Sequence, residues 1–209
     1  MVHTKHDTLP SVTQIVWEIY PFPDFVKERW INSVNKSLIE NWKTPVAFQH
    51  LMTMTQSLWN MMHNYFLSKV MQVPVADLDE KYSDFQKSID DFILERNIVG
   101  ISSEVTIEKP DEYIGHYDLV CEMDYNWERI TALCDLKTYQ SYKHILGISH
   151  EWNARPLLWN KSKVSLQLSM YRNAMIEDHP LFCFHLTPQF VDCVPLPYSL
   201  TKYEEWKNK

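Results

Sequence analysis

Asp135, Leu136, Lys137 and Thr138 end a run that reads as a strand, and they carry the residue types of phosphodiester hydrolysis. Side chains alternate along a strand, so Asp135 and Lys137 project from one face about 6 to 7 Å apart along the chain. A carboxylate and an ammonium then share one pocket. The carboxylate is a hard oxygen ligand suited to Mg²⁺ or Mn²⁺. The lysine can hold or deprotonate a water beside such an ion and steady the negative charge that develops on a phosphate. Asp-x-Lys alone also describes an exposed strand end with a solvated ion pair, so further parts are needed to make a site.

A second carboxylate stands upstream. Asp118 follows Tyr113-Ile114-Gly115 and precedes Leu119-Val120-Cys121, a strand pattern, and Asp124-Tyr125-Asn126 reads as a turn before the next run, Ile130 to Leu136. An antiparallel hairpin of that length brings Asp118 beside Asp135. An acid in so apolar a strand is costly unless a metal or a cation satisfies it. The third part is helical. From Leu158 to Ile176 apolar residues recur at roughly helical spacing between Pro156 and Pro180, which makes Gln167 and Tyr171 neighbours one turn apart. The glutamine can hydrogen-bond a metal water or a carboxylate, and the tyrosine can bind phosphate or stack on a base.

The elements that position these groups follow from periodicity. Helices are expected over roughly 24–42, 47–71 and 78–97, strands over 103–109, 114–123 and 129–138, and a long helix over about 158–177. Phe182 to Leu186 and Phe190 to Val194 read as further strands, with a short helix near Tyr198 to Lys207. The result is an α/β chain with an α-β-β-β-α-β core. Residues 1–209 fit one domain, a helical part over about 9–98 and a catalytic core over about 99–197, because 45% of residues are apolar and no low-complexity linker divides them. Tyr139 to Arg155 lacks clear periodicity. Its Tyr139, Tyr142, Lys143, His144, Trp152 and Arg155 interleave rings with cations, which suits a single-strand path as well as a loop packed on the domain.

Gly115-x-x-Asp118, then Asp135-x-Lys137-Thr138, then Gln167-x-x-x-Tyr171 resembles the motif order of RecB-like nucleases in the PD-(D/E)XK superfamily. Leu9-Pro10-Ser11-Val12-Thr13-Gln14-Ile15 is similar to the opening segment of the mitochondrial genome maintenance exonuclease group and its phage relatives. Trp59 to Phe66, centred on His63, resembles their histidine helix, and Ser103-Glu104-Val105 fits their acidic residue. Two departures stand out. Trp59 occupies a place where that helix commonly has glycine, and Glu108 shares a strand side with Glu104, so either acid fits the motif. A histidine on so apolar a segment is otherwise a packed residue.

The resemblance implies a restriction-endonuclease-like core and a divalent-metal-dependent deoxyribonuclease of DNA replication, repair or recombination, with Mg²⁺ or Mn²⁺ as cofactor. An exonuclease on single-stranded or frayed DNA ends is expected. The alternatives are a structure-specific endonuclease and a non-catalytic DNA- or protein-binding module that keeps the fold. It implies that Asp118, Asp135, the backbone of Leu136 and His63 hold metal, that Lys137 positions and activates water, and that Gln167 and Tyr171 orient substrate or metal water. A histidine ligand tilts the choice toward Mn²⁺.

Charge and composition bound this reading. The formal net charge of −7 opposes DNA binding, yet residues 137–172 hold Lys137, Lys143, Arg155, Lys161, Lys163 and Arg172 against the single acid Glu151. These cations, Lys137 aside, are the expected DNA contacts. Asp77 to Glu95, with seven acids and two lysines, reads as a solvated helix face. Three glycines exclude a Gly-rich phosphate loop. Cys121, Cys134, Cys183 and Cys193 lack Cys-x-x-Cys spacing and read as reduced core thiols, not ligands of an iron–sulfur cluster. Nothing resembles a signal, a transit segment or a membrane span, so a soluble cytoplasmic protein is expected, with DNA and replication or recombination proteins as partners.

Overall fold

Ser11 starts the first helix: its hydroxyl accepts the N–H of Gln14 at 3.1 Å and caps α1 (Val12–Ile19). The structure is a computed structural model and describes residues 9–138, 141–148 and 156–209, without the side chains of 156–160. Two long helices, α2 (Asp24–Glu40) and α3 (Phe48–Val70), come next. A single 3₁₀ turn at Glu80–Tyr82 then leads into α4 (Ser83–Glu95).

Three strands follow as two hairpins: β1 (Val99–Lys109), β2 (Tyr113–Tyr125) and β3 (Glu128–Thr138). Asn126 and Trp127, both with positive φ, make the two-residue turn between β2 and β3. The turn therefore lies at 126–127 and not at 124–126, because Asp124 and Tyr125 still pair with Arg129 and Glu128. After α5 (Tyr142–Leu146) and α6 (Pro156–Ala174), β4 (Leu181–Leu186) pairs parallel to β3. A parallel neighbour needs a crossover, and α6 lies within it. β5 (Val191–Leu196) returns antiparallel, and α7 (Thr201–Lys207) ends the chain.

The five strands lie in the order β1-β2-β3-β4-β5, a mixed sheet with helices on both faces. On one face Leu119, Cys121, Cys134, Leu136 and Phe184 pack under Met62, Phe66, Phe85 and Phe92 of α3 and α4. On the other, Val120, Leu133 and Cys183 meet Val12 and Ile15 of α1, Leu168 and Met170 of α6, and Tyr203 of α7. A smaller cluster of Trp30, Val34, Leu38, Leu51, Tyr142 and Ile148 fastens α2 and α5 to the outside of α3. β3 is central, so Ala132 through Leu136 are all buried, Asp135 among them.

The expected helices and strands are present with ends shifted by a few residues, and two elements are new. α1 occupies a stretch with no expected helix, and α5 interrupts the segment read as aperiodic; the rest of that segment, Tyr139–Gln140 and 149–155, lies outside the described residues. All four cysteines are free and sit on strands, three of them buried. Of the acids between Asp77 and Glu95, five are exposed, while Asp84 and Asp90 are half-buried against His144 and Tyr65. Among the described residues, no helix is long and apolar enough to cross a membrane.

Candidate functional site

The β2–β3 ladder runs from Tyr125↔Glu128 to Leu119↔Cys134 and then stops. The next position on β2 is Asp118, whose Oδ2 accepts the backbone N–H of Leu136 at 2.8 Å. A side chain thus takes over the pairing that the main chain abandons, and the two strands separate around it. Gly115, three residues earlier, allows a close approach from α6. A Cβ there would lie 2.6 Å from Tyr171 Cε1 and 2.9 Å from Val12 Cγ2.

Asp118 meets two partners from other elements. His63 of α3 brings Nε2 to 3.4 Å from Asp118 Oδ2 and Nδ1 to 3.5 Å from Glu104 Oε1. Glu104 lies in β1, between the pairs Ser103↔Leu119 and Val105↔Tyr117, which puts it across from Asp118. Its φ of 52° is left-handed, a conformation that costs a non-glycine residue roughly 1 kcal/mol. One ligand atom from each of His63, Glu104 and Asp118 falls within 4.8 Å of the others, the group among the described residues with metal-ligand potential. Of the two acids that fit the motif, Glu104 stands in that group, while Glu108 lies further along β1 opposite Ile114 and outside it.

Asp135 and Lys137 form the adjoining pair. Lys137 Nζ is 2.6 Å from Asp135 Oδ2; the carboxylate is 1% exposed and the lysine side chain 35%. Neither oxygen of Asp135 has an aligned hydrogen-bond donor among the described residues, and neither does the Nε2 of His63. Asp135 stands in register with Cys183 of β4. Gln167 and Tyr171 lie on α6, with Gln167 Nε2 donating to the Tyr171 hydroxyl at 2.9 Å.

The acids differ in electrostatics. Burial acts to raise the Asp118 pKa, but the His63 imidazole, the Lys137 charge and the Leu136 N–H outweigh it and hold the group below its ordinary value. Burial wins at Asp135, whose pKa is raised to about 6 with the Asp118 charge adding to it and Lys137 opposing. Lys137 loses hydration, yet the two aspartates more than compensate and its pKa is raised. Burial also pushes the Tyr171 phenol up to about 12. Asp118 is therefore a permanent anion, Lys137 a permanent cation, and Asp135 a carboxylate near its titration point.

The expected DNA cations are not gathered with these groups. Lys143 lies in α5 on the α3 side, 3.8 Å from Asp84. Lys163 covers the Trp17 ring at 3.9 Å and Arg172 the Tyr198 ring at 4.3 Å, with Asp178 as an ion-pair partner, on the opposite side of the sheet. Lys161 is exposed on α6, and Arg155 lies outside the described residues. Two contacts escaped the sequence reading. The Leu136 N–H to Asp118 bond has no side-chain signal, whereas the stack of Trp59 on His63 is foreshadowed by their spacing of one helical turn.

No protein-family model matches the chain, and no curated protein matches it. Among solved structures it is similar to one titled "Crystal structure of SSO0001", at 14% identity over 76% of this chain and 83% of that chain, with a TM-score of 0.29.

Proposed function

We propose that the protein is a divalent-metal-dependent DNA nuclease with a restriction-endonuclease-like, RecB-like core of the PD-(D/E)XK type. In this proposal it is a cytoplasmic exonuclease acting on single-stranded or frayed ends during replication, repair or recombination. The observation that carries the proposal is the meeting of His63, Glu104 and Asp118 within 4.8 Å, beside a buried Asp135–Lys137 pair. The donor set fits a metal: two carboxylates offer hard oxygens, and His63 offers a buried Nε2 without an aligned hydrogen-bond partner among the described residues. His63, Glu104 and Asp118 would hold Mg²⁺ or Mn²⁺, with Asp135 and the Leu136 carbonyl as further ligands. Such an ion supplies Lewis-acid polarisation of a phosphate and a more acidic water.

The chain's own groups supply the rest. Asp118, kept ionised, holds the Leu136 backbone, the residue next to Asp135, in place through its N–H. Lys137 donates to the attacking water and offsets charge that builds on the phosphate oxygens. Asp135 Oδ2, 2.6 Å from Nζ, keeps that ammonium in place and charged. Tyr171 stays a neutral phenol and, with Gln167, presents hydrogen bonds to substrate or water. The expected products carry 5′-phosphates.

A second reading, a DNA- or protein-binding module that keeps the fold, draws support from the net charge of −7 and from Lys163 and Arg172 being occupied by internal partners. End-labelled linear and covalently closed circular single-stranded DNA, each incubated with Mg²⁺ or Mn²⁺, separates the readings. Loss of linear DNA alone supports the exonuclease, and loss of both supports an endonuclease. Binding without loss supports the module, and neither binding nor loss overturns the DNA reading.

A further inference from the structure

Trp59 stands one helical turn before His63 in α3, and its indole lies nearly parallel to the imidazole, with ring centroids 4.5 Å apart and 20° between planes. His63 is 3% exposed, yet both of its carboxylate contacts, at 3.4 and 3.5 Å, are longer than a good charge-assisted hydrogen bond. Its Nε2 has no aligned partner among the described residues. The carboxylates by themselves therefore fix the ring's last torsion, which is broad and roughly two-fold for histidine, only loosely. A flat surface held against one face removes that freedom, because rotation would drive the imidazole edge into the indole.

We infer that Trp59 is a positioning residue for the metal site: its indole fixes the plane of His63 so that the nitrogens stay aimed at Asp118 and Glu104. The inference rests on the metal-dependent reading above and deepens it. The ordinary role of a half-buried tryptophan is to fill volume, and the two roles are separable by shape. Leucine fills apolar volume without offering a plane, whereas phenylalanine keeps a plane while losing volume. An aromatic pair is worth roughly a 2- to 12-fold change in an equilibrium beyond its buried area.

The experiment uses the full chain and MnCl₂ alone, following the free Mn²⁺ signal by electron paramagnetic resonance, with thermal melting recorded for every variant. Trp59→Leu is expected to weaken Mn²⁺ binding roughly 3- to 10-fold while Trp59→Phe stays within about twofold of the natural protein. Equal binding by the Leu and Phe variants would overturn the inference while the natural protein still binds Mn²⁺. Absence of Mn²⁺ binding by the natural protein would overturn the metal-dependent reading, and this inference with it. Should Trp59→Leu melt below the assay temperature, Trp59→Met, apolar and without a ring, takes its place under the same comparison with Phe.

Discussion

The backbone N–H of Leu136 donates to Asp118 Oδ2 at the point where the main-chain pairing of β2 and β3 ends. One carboxylate oxygen is thereby committed to structure, and Asp118 becomes both a hinge pin for the sheet and a ligand candidate. Asparagine reproduces the first role, since its amide oxygen also accepts an N–H. It does not reproduce the second.

Asp118→Asn is thus expected to fold with a melting temperature within a few degrees of the natural protein and to lose cleavage by roughly a thousandfold or more, in the range seen when one oriented electrostatic group is removed. End-labelled DNA cleavage and circular dichroism melting, run on the same preparation, check this. Full activity would remove Asp118 from the site.

Lys137→Ala separates catalysis from binding. The lysine pairs with the buried Asp135, so its loss removes the cation proposed to hold the attacking water while distant DNA contacts persist. Cleavage is expected to fall about 10²- to 10³-fold, with the Kd for single-stranded DNA changed by no more than a few fold. Small and equal losses in both quantities would mark Lys137 as a simple ion-pair partner.

His63→Ala should raise the metal concentration needed for half-maximal activity by roughly tenfold or more and should weaken the preference for Mn²⁺ over Mg²⁺. A packed histidine would behave otherwise. Its truncation would cost about 1 to 3 kcal/mol of stability and leave the metal titration of the folded protein unchanged. Titrations with both ions, paired with melting curves, distinguish the outcomes.

Alkaline pH provides a test of the fold that is independent of function. Burial pushes the Tyr113 and Tyr171 phenols up to about 12 from an ordinary value of 10.0. The folded protein therefore keeps protons that the unfolded chain releases in that window, so these two phenols lower stability as pH rises from about 10 to 12, beyond the loss that the thiols of Cys134, Cys183 and Cys193, also pushed up by burial from 9.0, begin at lower pH. The expected loss is on the order of 1 to 3 kcal/mol per tyrosine. Melting temperature against pH, with phenolate absorbance as a second probe, should show the fall. A Tyr113→Phe, Tyr171→Phe double variant should reduce it without abolishing it, because Tyr203 and the buried thiols still titrate late.

The strands carrying Asp118 and Asp135 were legible because apolar alternation and a turn signal agree there, and the α6 pair was legible because one turn separates Gln167 from Tyr171. α1 was hidden by its own composition. Val12, Thr13, Ile15 and Val16 are β-branched and poor helix formers, and the Ser11 cap together with burial against α6 outweighs them. The position of Glu104 was half-legible, since spacing offered Glu104 and Glu108 equally and only the register places the first across from Asp118. Charge counting does not see tertiary partners: Trp17 lies 146 positions before Lys163, yet its ring takes that ammonium.

β1 is an outer strand of the sheet, the kind of edge on which a strand from another molecule can pair. That edge is irregular: the register shifts between Gly100 and Ser102, and Glu104 turns its own backbone left-handed and sets a charge between Ser103 and Val105. A visiting strand would meet a kink and an anion halfway along. The acid that leans toward His63 and Asp118 thereby also guards the sheet against edge-to-edge aggregation, and replacing it with a β-branched residue would remove both protections at once.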